Sequence, residues 1–188
     1  MFFLFFVGTL FSQNKKIIDS INEIPLEYKL KNSAKLEDIY LKNVKESQAI
    51  NYTYGEAKSY SNLSLICYYQ GKYEKDIYYA LKSISLFEKI KDSENLSFAY
   101  AEMGYHIKRR NLQKALYYMQ KGKRIAESKN IQKPLLSIYN NYGVLKEMQK
   151  DYDSALYFYE KGLELKQKIN DKTGLPYSLN NVAGIYVI

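Results

Sequence analysis

Few residues of this chain have the chemistry to break or transfer bonds. It carries one histidine, His106, and one cysteine, Cys67. One imidazole and one thiol are too few for the usual zinc sites, for proton relays or for an intrachain disulfide framework. His106 reads as a solvent-facing or packed imidazole, and Cys67, on an apolar stripe, as a small core residue. No phosphate-cradling glycine loop and no set of nucleophile, base and orienter is present, so the chain is expected to be a non-enzyme with no cofactor and no metal. The chemistry left is hydrogen bonding by amides and attraction by cations. Asn62, Asn141 and Asn181 occupy one repeat position. An amide side chain both donates and accepts, so a row of them can bind the backbone of an extended peptide without demanding one sequence. Lys108, Arg109 and Arg110, with Lys114, Lys121, Lys123 and Arg124, concentrate positive charge that would suit an anionic partner. Lys-rich helix faces are ordinarily just solvated and no RNA-reading motif accompanies them, so nucleic acid is not the expected partner.

The elements that hold these residues follow from composition first. The 188 residues include 28 Lys and Arg against 20 Asp and Glu, a formal charge of +8, with 46% apolar and 26% charged residues. This is the balance of an ordinary folded domain and excludes disorder and collagen. There are 21 Tyr and no Trp, with only 3 Pro and 9 Gly, which favours long helices with few enforced stops.

The second guide is a period. Tyr60-Ser-Asn-Leu-Ser64, Tyr100-Ala-Glu-Met-Gly104, Tyr139-Asn-Asn-Tyr-Gly143 and Leu179-Asn-Asn-Val-Ala183 align, their final small residues 40, 39 and 40 positions apart. Tyr73, Leu112 and Tyr152 repeat at 39 and 40, and Gly55, Asn95, Pro134 and Gly174 mark equivalent starts. Tyr60, Leu63 and Cys67, or Tyr100, Met103 and Ile107, share one helical face; Tyr152, Leu156, Tyr159 and Leu163 do the same in a second segment. Each unit is therefore a hairpin of two amphipathic helices. The expected units are 55–94, 95–133, 134–173 and a partial 174–188, preceded by a degenerate capping repeat over 13–54. In that cap Lys15 to Ile24 form the first helix, before Pro25, and 33–49 the second. Gly104, Gly143 and Ala183, with Ala115, Ala155, Gly122 and Gly162, remove side chains where backbones should approach closely.

This arrangement resembles the tetratricopeptide repeat family over about residues 33–188, in an extended form with a period near 40. The aromatic that opens the family pattern is matched by Tyr60, Tyr100 and Tyr139. The large-small pair that follows is matched by Leu63-Ser64, Met103-Gly104, Tyr142-Gly143 and Val182-Ala183. Asp76, where a small residue belongs, and Cys67 and Lys146, where Tyr is usual, depart from it. The resemblance implies an all-α fold, a right-handed α-solenoid of antiparallel helix hairpins, with first helices lining a concave groove that binds a protein or peptide. Groove candidates are Lys58, Asn62, Leu65 and Tyr69; Phe98, Glu102, Tyr105 and Arg109; Asn140, Asn141 and Val144; and Asn180 and Asn181. In the family Asn at the position of Asn62 often binds peptide backbone, and Glu102 breaks that row.

The N-terminal run from Met1 to Phe11 is apolar and uncharged. Eleven helical residues span only ~16 Å, about half of a ~30 Å hydrocarbon core, so the run fits a signal-peptide h-region, with residues 1–12 as the expected signal peptide. Export is then expected, to the periplasm or the outer side of the inner membrane. The sequence stops at Gly184-Ile-Tyr-Val-Ile188 with an apolar face unopposed, so a longer protein is expected, any membrane contact lying in an anchor beyond residue 188. With the resemblance, these features suggest the sensory part of a bacterial regulator carrying a histidine kinase or helix-turn-helix domain. The alternative is a free secreted scaffold.

Overall fold

The computed structural model describes residues 13–171 and 174–187; the expected signal segment, residues 1–12, lies outside them. Among the described residues every regular element is a helix. Two compact units divide the chain, one ending at Lys91 and the other beginning at Asp92. The first holds α1 (residues 13–22), α2 (Leu26–Lys31), α3 (Ser33–Ala49), α4 (Thr53–Tyr69) and α5 (Tyr73–Ile90). The second holds α6 (Ser93–Ile107), α7 (Leu112–Ser128), α8 (Gln132–Met148), α9 (Tyr152–Lys168) and α10 (Leu175–Ile185). The pairs α4–α5, α6–α7 and α8–α9 are the three hairpins of the period. Their starts at Thr53, Ser93 and Gln132 fall just ahead of the boundaries read at 55, 95 and 134.

Side chains set several helix starts. Asp92, Asn111 and Asp151 accept hydrogen bonds from the backbone N–H of Asn95, Lys114 and Ser154 at 3.0, 2.9 and 3.3 Å, satisfying donors that the first turn leaves open. The stops are of another kind. With so few Pro and Gly, helices end on left-handed residues: Asn51, Lys91, Asn130, Lys150 and Asn170, with φ between 53° and 61°, and Gly71. Asn tolerates this backbone comparatively well and lysine poorly.

Each hairpin closes around the same aromatic pair. Tyr60 stacks on Tyr79, Tyr100 on Tyr118 and Tyr139 on Phe158, with ring centroids 5.9, 6.1 and 6.4 Å apart and planes within 27°. In the first unit, Leu36, Tyr40, Val44, Leu63, Ile66, Cys67 and Tyr79 form a core onto which Ile21 and Ile24 pack. In the second, Tyr100, Met103 and Ile107 face Ala115 and Met119, and Ile138, Tyr142 and Leu145 face Ala155 and Tyr159; all are buried. Each large side chain so covered contributes roughly 1.5–3 kcal/mol.

Backbone proximity explains two of the small residues, whereas at Gly143 a Cβ would meet the Tyr159 ring and not a backbone. A Cβ on Gly104 would lie 2.7 Å from the Ala115 carbonyl, and one on Gly122 would lie 2.7 Å from that of Ser97. Gly162 differs from its equivalent: its nearest neighbour, Tyr139 Cβ, would be 3.6 Å away, an ordinary contact. Ala183 is exposed. Asp76 has its own answer. It is 1% exposed and accepts from Ser64 Oγ at 2.6 Å, so a polar pair replaces the glycine-alanine contact of the next hairpin.

Two readings of the sequence need correction. Along α9 the buried line is Ala155, Tyr159, Gly162 and Lys166, while Tyr152, Leu156 and Leu163 are half-buried. The line of closest approach follows the small residues and not the largest apolar ones. In the N-terminal repeat, Pro25 does more than end a helix: its fixed φ, −59°, leads into α2.

Candidate functional site

Each unit holds asparagines of the repeat position, with different neighbours. In the first, Asn62 is 6% exposed. Its Nδ2 donates to the backbone oxygen of Asn22 at 3.1 Å and to Asn22 Oδ1 at 3.2 Å, and its Oδ1 accepts from Lys29 Nζ at 2.6 Å. Asn22 stands 40 residues before Asn62 and is thus an earlier member of the row. It also donates to the Gly55 carbonyl at 3.1 Å and accepts from Ser59 Oγ at 3.0 Å, seating α1 on α4. Asn62 is therefore filled by the chain itself. Around it Lys58 and Leu65 are half-buried, and Tyr69 is exposed with its ring edge-on to Tyr68.

The second unit contains an open groove of about 630 Å³. Of the residues anticipated from sequence, Tyr105 from α6, Asn140, Asn141 and Val144 from α8, and Asn181 from α10 line it. Asn181 Nδ2 donates to Asn140 Oδ1 at 2.5 Å, joining the first helices of successive repeats as Asn62 joins Asn22. Leu136, Ser137 and Tyr177 add apolar and hydroxyl surface. Phe98 and Glu102 are half-buried, Arg109 and Asn180 exposed, and none of the four lines this groove.

Lys166 is, with Leu136, Ser137, Asp171, Gly174 and Tyr177, a groove residue that the repeat pattern did not anticipate. It rises from the second helix of its hairpin, is 8% exposed, and donates to Ser178 Oγ at 2.7 Å. Burial lowers its pKa, and the nearby Asp171 carboxylate opposes that shift. Asp171 itself accepts from the Gly174 N–H at 3.0 Å and closes the turn into α10. The signal was present in the sequence: Lys166 lies four and seven residues beyond Gly162 and Tyr159, on the apolar line, where a lysine needs a reason.

The basic cluster disperses. Lys108 is buried, donates to the Tyr105 carbonyl at 3.0 Å and lies 3.3 Å from the Tyr105 ring centroid; burial lowers its pKa. Lys121 sits 5.1 Å from the ring centroids of both Tyr100 and Tyr117, and Lys123 pairs with Glu127 at 2.9 Å. Arg109, Arg110, Lys114 and Arg124 remain exposed. His106 is packed at 6% exposure. Among the described residues no three His, Cys, Asp or Glu side chains converge to hold a metal, and no helix is long and apolar enough to cross a membrane.

No family model matches the chain, and no curated protein matches it. Among solved structures it is similar to BtubC (BKLC) from P. vanneervenii, with a TM-score of 0.73, 19% identity, and coverage of 96% of this chain and 73% of that one. It is also similar to a Signal Transduction ATPase with Numerous Domains with a tetratricopeptide repeat sensor, from Pyrococcus horikoshii. There the TM-score is 0.67 and the identity 19%, over 95% of this chain and 30% of that one. At such identity the likeness speaks for the fold alone, an all-α array of helical hairpins.

Proposed function

We propose that this chain is a non-catalytic module of tetratricopeptide type that binds a peptide or protein segment in the groove of its second unit. The observation that carries this is the convergence of Asn140, Asn141 and Asn181 with Tyr105, Leu136, Val144 and Tyr177 around one open groove. Amides there can serve a peptide backbone while the apolar residues cover its side chains. Panning a displayed peptide library against the chain tests it. Peptides selected on the intact protein should bind at least tenfold more weakly to Asn140→Ala/Asn181→Ala, each substitution being worth about a hydrogen bond. Undiminished binding would remove the groove from the mechanism.

We further propose that the module is the exported, sensory part of a longer bacterial signalling protein. Two things support this reading: the apolar run from Met1 to Phe11, and the neighbour whose repeats are a sensor within a chain of which this one covers 30%. A reporter active only outside the cytoplasm, fused after Lys16, should become active; silence from that fusion in a bacterial host counts against export.

A second reading, a free secreted scaffold that uses both faces, draws on a different observation. Tyr78, Tyr117 and Tyr157 are exposed on the second helices, each with a lysine four residues on, Lys82, Lys121 and Lys161, at 5.6, 5.1 and 5.7 Å from the ring centroid. Peptides whose binding survives the groove substitutions but fails on Tyr117→Ala/Tyr157→Ala would favour it.

A further inference from the structure

Short turns join the two helices of each regular hairpin, as at residues 70–72 and 149–151, yet α1 and α3 are separated by residues 23–32. That insertion contains α2, a helix in which no residue is buried. A segment that buries nothing contributes little to the core. It is nonetheless ordered in itself, by the Glu27–Lys31 ion pair at 2.7 Å and by the Asn32 side chain, which donates to the Tyr28 carbonyl at 3.0 Å. And it presents Lys29 to Asn62 Oδ1 at 2.6 Å.

The register of the asparagines gives this contact its meaning. Asn62 and Asn181 are equivalent, and each directs its Nδ2 to an asparagine of the preceding first helix, Asn22 or Asn140. The Oδ1 of each is thereby left as an acceptor. In the first unit Lys29 fills it. In the second, Asn181 lines the groove and its Oδ1 has no donor among the described residues. Asn62 is accordingly buried, whereas Asn141 and Asn181 stay partly open.

We propose that α2 is a built-in occupant of the asparagine row, and that the partner of the second unit's groove is a segment of the same kind: a short helix presenting a lysine ammonium to Asn181 Oδ1. This rests on the groove being the binding surface and adds the chemistry of what it binds. A charge-assisted N–H···O bond to an amide oxygen suits an ammonium better than a neutral donor. The ammonium already in the groove, Lys166, is engaged by Ser178 and offset by Asp171.

The probe is the chain's own segment, a synthetic peptide of residues 25–32 held helical by a lactam between Glu27 and Lys31. It is titrated to about 5 mM, the range of effective concentration that a short tether supplies. The readout is the side-chain amide NMR signals of Asn62, Asn140 and Asn181. In the intact chain the peptide should shift Asn140 and Asn181 and leave Asn62 unmoved. In a chain whose residues 26–31 are replaced by a Gly-Ser segment of equal length, it should shift Asn62 as well. Should that replacement disturb folding, Lys29→Met in the intact chain removes the ammonium from Asn62 Oδ1, weakens the hold of α2 there, and serves instead. A peptide carrying Lys29→Met should bind at least tenfold more weakly in every case. The proposal is overturned if the peptide shifts none of these amides, or if its Lys29→Met form binds equally well. If library peptides need Asn140 and Asn181 but carry no lysine, the groove stands and this inference alone falls.

Discussion

Lys150 ends α8 with φ at 61°, a conformation in which a Cβ crowds the following carbonyl at about 1–2 kcal/mol. Glycine has no such conflict, although the unfolded chain gains freedom with it. Lys150→Gly is expected to raise unfolding free energy by up to about 1 kcal/mol in urea titrations, while glycine placed instead at exposed Glu160, inside α9, lowers it by a similar amount. Neither the left-handed stops nor the amide partnerships were legible in the sequence. Lysine carries no signal for such a backbone. Asn22 lies at the right interval before Asn62, but Ser20 and Ile24 stand where the later members of the row have a large residue two positions before and a small one two positions after. What the sequence did show was the row itself, because Asn141 and Asn181 each follow another asparagine and, like Asn62, stand two residues before a small one. Lys166 lies on a second helix, outside the first-helix pattern that marks the groove, and its role depends on Ser178, a residue from the next repeat.

Polar contacts also tie elements together, and the one between α3 and the start of α5 responds to acid. Glu37 on α3 is mostly buried and bonds to Lys72 at 2.5 Å and Lys75 at 3.1 Å, at the start of α5. The hydrogen bond from Lys72 is the largest influence and holds its carboxyl below the ordinary 4.5; burial opposes this and Lys75 assists. The folded state therefore binds fewer protons than the unfolded one, so the contribution is present above pH 4.5 and is lost as the pH falls through the lowered value. Glu37→Gln should lower the melting temperature at neutral pH and flatten its decline below pH 4.5; parallel acid profiles for the two proteins would mean the pair is inert. The helix α2 shows the limit of reading elements from sequence. Pro25 was a stop signal, and six residues without a buried face leave no apolar period to detect.

At the scale of the whole molecule, the hairpins were the most legible feature because the same pair of rings closes each of them. Tyr60, Tyr100 and Tyr139 announced themselves by position, and their partners Tyr79, Tyr118 and Phe158 follow at 39 and 40 residues. The exact face that each second helix buries was less legible, since it is set by where a neighbouring backbone fits and not by which side chain is largest. One consequence follows from the sealed core of the first unit. Cys67 is the chain's single thiol; it is fully buried, and burial pushes its pKa up to about 11. A water-soluble alkylating reagent can reach it only when that unit breathes, so its rate of modification is a native stopwatch for excursions of one half of the molecule, with no probe engineered in.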